Sequence, residues 1–224
     1  LFRVYFEGAG ERAAAWIPIA AGLATLTMVA GNLMALPQQN TKRLLAYSGI
    51  AHIGYMLVGF AAASASGVAM VLFYLVAYVF GNMGAFLVVE AVARAEGSES
   101  TAALRGLAQR SPLLALAMLL FLLSLGGIPF VAGFWAKLYV FWAAATVGLY
   151  WLVLLGAVLT VVALFYYLQV AKRMYIEPPE RTGPVLLPPT LALAVLLCAV
   201  GVIVLGVYPK PLVMAALRVA APLF

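Results

Sequence analysis

Lys137 lies inside a long apolar stretch, a few residues after the run Gly126-Gly127-Ile128-Pro129, which cannot continue as regular helix. An ammonium at membrane depth costs several kcal/mol by most estimates, so its presence there points to function. Helices broken at that depth are tolerated where they face protein or a water-filled cavity. A break and a buried cation side by side imply a protein that moves ions or protons. The predicted position of Lys137, near the start of a second half-helix, places it in the positive field of orphan N–H groups. Desolvation and that field both disfavour a fixed ammonium, the condition under which a lysine can load and release a proton. The plain alternative is a lysine snorkelling to the interface. About eight residues separate it from the end of its span, or ~12 Å at helical rise, which is too deep for that.

His52 is the only histidine. It falls nine residues after Arg43, or ~13 Å into its own span, a depth close to that of Lys137. Histidine titrates near neutrality and relays protons; the other reading is an interhelical hydrogen bond, for instance beside Ser48. Tyr74, Tyr78 and Asn82 recur at i, i+4 and i+8, which puts three polar side chains on one helix face. Such a face either lines a hydrated path or makes ordinary hydrogen bonds between membrane helices. Ser124, Thr160, Tyr166, Tyr167 and Gln169 carry a weaker signal. Glu90 is placed near a helix end, solvated or paired with Arg94.

The elements that must position these residues follow from composition. The chain is 67% hydrophobic and 9% charged, with a mean hydropathy of +1.11. Soluble domains are roughly half apolar, so this is an all-α integral membrane protein. About six segments are long enough to cross ~30 Å of hydrocarbon: 14–36, 43–63, 67–93, 113–145, 149–171 and 186–207. The first stops at Pro37. The second follows Asn40-Thr41, a predicted N-cap. The fourth, 113–145, is too long for one straight span, and Gly126, Gly127, Pro129 and Gly133 are predicted to divide it into two half-helices. Residues 172–185 read as a stiff linker, and 186–224 as a final span with a tail. The connection 94–112 is long and charged and accommodates a surface helix. Leu1-Phe2-Arg3-Val4-Tyr5-Phe6 reads as the end of an earlier helix, with 1–13 completing a loop and the chain forming the C-terminal part of a longer polypeptide.

Net charge is +6. Lys42, Arg43, Arg94, Arg105, Arg110, Lys172, Arg173 and Arg181 fall on one side of this scheme, and Arg3, Arg12, Lys210 and Arg218 on the other. The larger set marks the cytoplasmic side, so the positive charge sets topology rather than binding nucleic acid. The single cysteine, Cys198, excludes a disulfide framework. No P-loop spacing and no Cys/His cluster for zinc, haem or iron–sulfur is present, so no cofactor and no metal are expected in this chain.

Two long motifs carry a resemblance. Gly31-Asn32-Leu33-Met34-Ala35-Leu36 with Gln39-Asn40-Thr41-Lys42-Arg43-Leu44-Leu45-Ala46-Tyr47-Ser48 and Ala51-His52-Ile53-Gly54-Tyr55 resembles the antiporter-like membrane subunits of respiratory complex I. Gly126-Gly127-Ile128-Pro129 through Gly133-Phe134-Trp135-Ala136-Lys137 resembles that family's broken helix with its essential lysine. Within the family the third helix, ending in Gly84-Ala85-Phe86, is similar to the N-type branch. The L-type branch would have two histidines and a lysine where Tyr74, Tyr78 and Asn82 stand. The sequence departs from the family at Gly49, where serine is usual, and at Phe130, where a second proline is common.

The resemblance implies a fold of about fourteen helices with two inverted five-helix repeats. Residues 14–171 would form the second repeat, with one helix after it. It implies a proton-translocating subunit of a bacterial NADH–quinone oxidoreductase in the cytoplasmic (inner) membrane, driven by quinone reduction elsewhere. Lys137 and His52 would transfer protons, and Tyr74, Tyr78 and Asn82 would line a mid-membrane axis. NAD, FMN, iron–sulfur clusters and quinone would belong to other subunits. The partners would be other membrane subunits and the lipid bilayer, with no nucleic acid and no soluble small-molecule substrate bound directly. The alternatives are a subunit of a multi-subunit cation/proton antiporter or membrane-bound hydrogenase, and a structural spacer without transport.

Overall fold

The computed structural model describes residues 13–180 and 183–223. Leu1–Phe6, Arg3, Arg12 and Arg181, which entered the expectations above, lie outside the described residues. Nine α-helices run through the described part: α1 Ala13–Ala35, α2 Thr41–Ala61, α3 Ala65–Glu96, α4 Leu107–Arg110, α5 Pro112–Gly126, α6 Ala132–Thr146, α7 Tyr150–Tyr175, α8 Pro189–Val207 and α9 Lys210–Ala220. Short 3-10 turns at Thr101–Leu104 and Ala221–Leu223 complete it, and no strand occurs among the described residues. Five helices, α1, α2, α3, α7 and α8, are long and apolar enough to cross a membrane. The sixth crossing is the pair α5 and α6, so the discontinuous span is present.

Local chemistry sets the ends. The Asn40 side chain accepts from the Arg43 N–H at 3.0 Å, which is the predicted cap of α2. Ser64 caps α3 in the same way, and Gly97 closes that helix with φ +69°. Where 186–224 read as a span and tail, the last residues form α9, an amphipathic helix that packs against α3. The connection 94–112 holds the Thr101–Leu104 turn and the one-turn α4 rather than a longer surface helix.

Lipid tails are as apolar as leucine, so helix association here rests on close packing and hydrogen bonds. Gly31 shows how close: a Cβ there would lie 2.4 Å from the Ala51 amide nitrogen, so α1 and α2 meet backbone to backbone. Helix α3 is the centre, touching α2, α5, α6, α8 and α9. Helix α8 turns most of its surface outward, with Leu193, Leu196, Leu197, Ile203 and Val204 exposed.

At the basic end the connections are zipped together. The Thr41 N–H donates to the Glu99 carbonyl at 2.8 Å, and the Thr101 N–H to the Gln39 carbonyl at 2.7 Å. Lys42 pairs with Glu90 at 2.8 Å and Glu99 at 2.7 Å, while Glu90 also accepts from Arg94 at 2.7 Å. Arg105 pairs with Glu177 and Glu180, and Arg110 with Glu96. Lys42 is thus the hub of an ion cluster as well as a charge at a helix start. The described cations assigned to the cytoplasmic side gather at this one end.

Candidate functional site: a buried lysine, a histidine and a tyrosine cluster

The break between α5 and α6 is built by two glycines that act differently. Gly127 sits at φ +81°, where a side chain is strained, and its N–H donates to the Leu123 and Ser124 carbonyls. The Ile128 N–H also returns to the Leu123 carbonyl at 3.0 Å, which seals the C-terminus of α5. Gly133 was expected in the break but lies in the first turn of α6. Its role is close approach: a Cβ there would fall 1.7 Å from the Ser124 carbonyl oxygen. Its N–H donates to the Ser124 hydroxyl at 3.1 Å, so the start of α6 is pinned across the end of α5. Gly126 closes α5 against Leu164 of α7, and Pro129 lies in the turn that follows. Trp135 anchors α6 to α8 through its indole N–H, which donates to the Gly206 carbonyl at 2.7 Å.

Lys137 stands in this crossing, 4% exposed. Its ammonium donates to the Leu125 carbonyl at 3.0 Å and the Gly126 carbonyl at 3.3 Å. This corrects the expected electrostatics. The lysine belongs to the first turns of α6, but its side chain reaches back over the break to the last carbonyls of α5. The ammonium is therefore held by the negative end of one half-helix as well as exposed to the positive end of the other. Gly127 leaves room for it, since a Cβ there would sit 3.0 Å from the lysine Cδ. The ammonium also lies over the Tyr55 ring, whose centroid is 4.7 Å away, at cation–π distance.

Tyr55 leads to His52. Their ring centroids are 5.9 Å apart in an edge-on arrangement. His52 Nδ1 is 2.8 Å from the Tyr74 hydroxyl, and Nε2 is 3.3 Å from the Tyr167 hydroxyl. One ring nitrogen donates and the other accepts in the neutral tautomers. The histidine thus has its interhelical hydrogen bonds, to tyrosines of α3 and α7. The Tyr78 ring lies 5.0 Å from the imidazole, and the Tyr167 ring packs on Tyr166 at 4.6 Å. Tyr166 donates to the Asn32 side-chain oxygen at 3.1 Å, and the Asn32 amide donates to the Met28 carbonyl.

Five helices therefore deliver one buried polar cluster: Asn32 from α1, His52 and Tyr55 from α2, Tyr74 and Tyr78 from α3, Lys137 from α6, and Tyr166 and Tyr167 from α7. Of the predicted stripe, Tyr74 and Tyr78 reach His52. Asn82 lies two turns beyond Tyr74, with a buried Oδ1 that has no hydrogen-bond partner among the described residues. Sequence reasoning undervalued Tyr55 and Tyr167, which have no periodic partner on their own helices. The signal that could have found them is the adjacency of His52 and Tyr55 on one turn, and the Tyr166-Tyr167 pair inside an apolar span.

The groups of the cluster are ones that exchange protons. A lysine amine, an imidazole and five tyrosine hydroxyls, two of them within 3.3 Å of the imidazole, can each give and accept a proton, lysine once deprotonated. Among the described residues no group of three or more metal-ligating side chains comes together.

Residues 2–163 match the family described as the transmembrane region of NADH:quinone oxidoreductase and Mrp antiporter. A protein of Moorella thermoacetica named NADH-quinone oxidoreductase subunit N is 44% identical over all of this chain, which covers 47% of that protein. The chain spans about half the length of the curated relatives it matches. A solved structure of respiratory complex I from Thermus thermophilus contains a chain 37% identical, with a TM-score of 0.79 over 89% of this chain and 45% of that one. A chain of the Mrp complex from Dietzia superposes with a TM-score of 0.84 at 25% identity, covering 93% of this chain and 47% of that one.

Proposed function

The chain belongs to the family of membrane subunits shared by NADH:quinone oxidoreductase and the Mrp antiporter, and on that premise we propose that it forms a proton-carrying half of an N-type subunit of NADH–quinone oxidoreductase. The observation that carries this reading is the position of Lys137, buried in a helix break and joined through Tyr55 to His52 and the tyrosines. A scaffold gains nothing from a cation at that depth.

Lys137 is the proton-loading site in this reading. When protonated, its ammonium is held by the Leu125 and Gly126 carbonyls. When it releases the proton, those carbonyls lose a charge-assisted partner, so loading is coupled to the packing of the break. His52 passes protons between the Tyr74 and Tyr167 hydroxyls by exchanging its donor and acceptor nitrogens. Tyr78 and Asn82 extend the polar face of α3. Energy comes from quinone reduction in other subunits, where NAD, FMN and iron–sulfur chemistry reside. The chain works among other membrane subunits in a bacterial cytoplasmic membrane.

The test is proton translocation by proteoliposomes carrying the assembled complex with Lys137→Ala. Assembly on native gels should persist while pumping and coupled oxidoreductase activity fall. Normal pumping by the assembled variant would sink the proposal.

A second reading, exchange of a cation for protons, is favoured by the likeness to the Mrp chain. It is separated by measuring transport with and without Na⁺. Turnover-driven proton movement independent of Na⁺ supports the first reading, and strict Na⁺ dependence supports the second.

A further inference from the structure

At the basic end a cavity of ≈ 320 Å³ opens between the end of α1 and the last turns of α7. That volume falls within the range of small-ligand sites, ~300–1,000 Å³. Its polar wall is made by the amides of Gln38, Gln39 and Gln169 and the guanidinium of Arg173, and its apolar wall by residues including Leu36 and Phe165.

Among the described residues at this end, Arg43, Lys172 and Arg173 have no carboxylate within ion-pair distance, and of these three Arg173 alone lines the cavity. Each carboxylate described at this end already faces a cation: Glu90 and Glu99 face Lys42, Glu96 faces Arg110, and Glu177 and Glu180 face Arg105. Arg173 donates to the Thr101 hydroxyl and has no carboxylate partner among the described residues. It is half-buried and lines the cavity together with Gln38, whose amide also donates to the Met34 carbonyl at 2.9 Å, Gln39 and Gln169.

The cavity continues into an exposed apolar track. Leu154, Val158, Val161 and Phe165 recur at intervals of three and four on α7, and each is more than half exposed. They form one stripe roughly 16 Å long that leads up to the cavity. A guanidinium with amide donors at the top of an apolar stripe matches one molecule: an anion with an acyl chain attached. Basic pockets between membrane helices on the cytoplasmic side bind anionic head groups by this chemistry.

We propose that this cavity is a site for an anionic phospholipid, with the phosphodiester on Arg173 and the glutamine amides and one acyl chain along Leu154, Val158, Val161 and Phe165. Lys137 is not among the residues that line the cavity, and the proposal does not rest on the proton-carrying reading. Tyr166 borders both the cavity and the polar cluster.

The test uses the assembled complex in nanodiscs with trace spin-labelled phosphatidylglycerol or phosphatidylcholine, reading the immobilised fraction. It is run at about 0.1 M salt, where the Debye length is ~10 Å and a charge on the cavity wall still acts on a bound head group. Wild type should hold phosphatidylglycerol in preference to phosphatidylcholine. Arg173→Gln should lower phosphatidylglycerol association about five-fold, the equivalent of about 1 kcal/mol for one basic contact, and leave phosphatidylcholine unchanged. Because Arg173 also holds Thr101, Gln169→Glu is the second variant. It sets a repelling carboxylate on an exposed wall, leaves that bond intact, and should produce the same loss. Undiminished phosphatidylglycerol association in Gln169→Glu would overturn the proposal. Displacement of the labelled lipid by millimolar inorganic phosphate would overturn it too, by assigning the cavity to a free anion.

Discussion

The Lys137 ammonium lies over the Tyr55 ring, 4.7 Å from its centroid, while it donates to the Leu125 and Gly126 carbonyls at 3.0 and 3.3 Å. A residue of α2 therefore helps to place a charge carried by α6, and the ring is also the nearest aromatic step toward His52. Phenylalanine keeps the face and loses the hydroxyl, whereas leucine loses both. Tyr55→Phe should leave assembly intact. Tyr55→Leu removes a desolvated cation–π contact of ~2 kcal/mol and leaves a void. Thermal unfolding of the purified complex, compared for the two variants, should fall further for leucine, and pumping should follow the same order. Equal unfolding temperatures would remove the ring from the account of Lys137.

Gly127→Ala places a Cβ at φ +81°, at a cost of ~1–2 kcal/mol, and pushes it to 3.0 Å from the Lys137 Cδ. Gly133→Ala is more severe, because the Ser124 carbonyl occupies the space of the new methyl. The expected order of loss in assembled complex is Gly133→Ala well beyond Gly127→Ala, measured on native gels. Full assembly with Gly133→Ala would mean that α5 and α6 do not cross as described.

His52 holds two hydroxyls from different helices. His52→Phe should leave the Tyr74 and Tyr167 hydroxyls without that partner, at ~1–3 kcal/mol for each group that finds no other. A double-mutant cycle with Tyr74→Phe should give a coupling energy of ~0.5–3 kcal/mol. A coupling of zero would show that the 2.8 Å contact contributes nothing to stability.

At the membrane boundary, the Lys42 ammonium and then the Asn40 amide hold the Glu99 carboxyl below its ordinary value of 4.5. A carboxyl depressed in the folded state adds stability above its unfolded value and loses it as pH falls toward its folded one. The stability difference between wild type and Glu99→Gln should be complete at pH 7 and shrink as pH drops below about 4.5. Its size should also fall with added salt, since the pair is solvent-facing. A difference independent of pH would show that the Glu99 charge does not account for it, since the backbone bond from Thr41 is present in both proteins.

The features visible in the sequence are those with local causes. Asn40 caps α2 because an amide before a helix start accepts an orphan N–H, and the break follows from Gly127 and Pro129. Lys137 and His52 stand out because polar side chains are costly in apolar spans. The direction of the lysine side chain was not visible. Its partners lie eleven and twelve residues back, across a turn whose fold decides which helix end the ammonium meets. Tyr55 and Tyr167 were hidden for a related reason: their value comes from meeting residues of other helices, and no spacing within one helix encodes that. Gly49 gains a physical account from the fold. A Cβ there would lie 2.8 Å from the Tyr78 hydroxyl, so the glycine leaves that hydroxyl its place. Phe130, where proline is common in the family, adopts φ +73°, a value a proline ring cannot reach.

The central claim is that Lys137 gives up and regains a proton, and Lys137→Arg tests it most directly. Arginine keeps a positive charge for the Leu125 and Gly126 carbonyls but does not deprotonate in proteins. Proton translocation should be measured in proteoliposomes containing the assembled variant, with assembly verified on native gels. The account expects Lys137→Arg to assemble and to lose pumping as completely as Lys137→Ala. Pumping at the wild-type rate would contradict it, and would make Lys137 a fixed counter-charge that holds the helix break together.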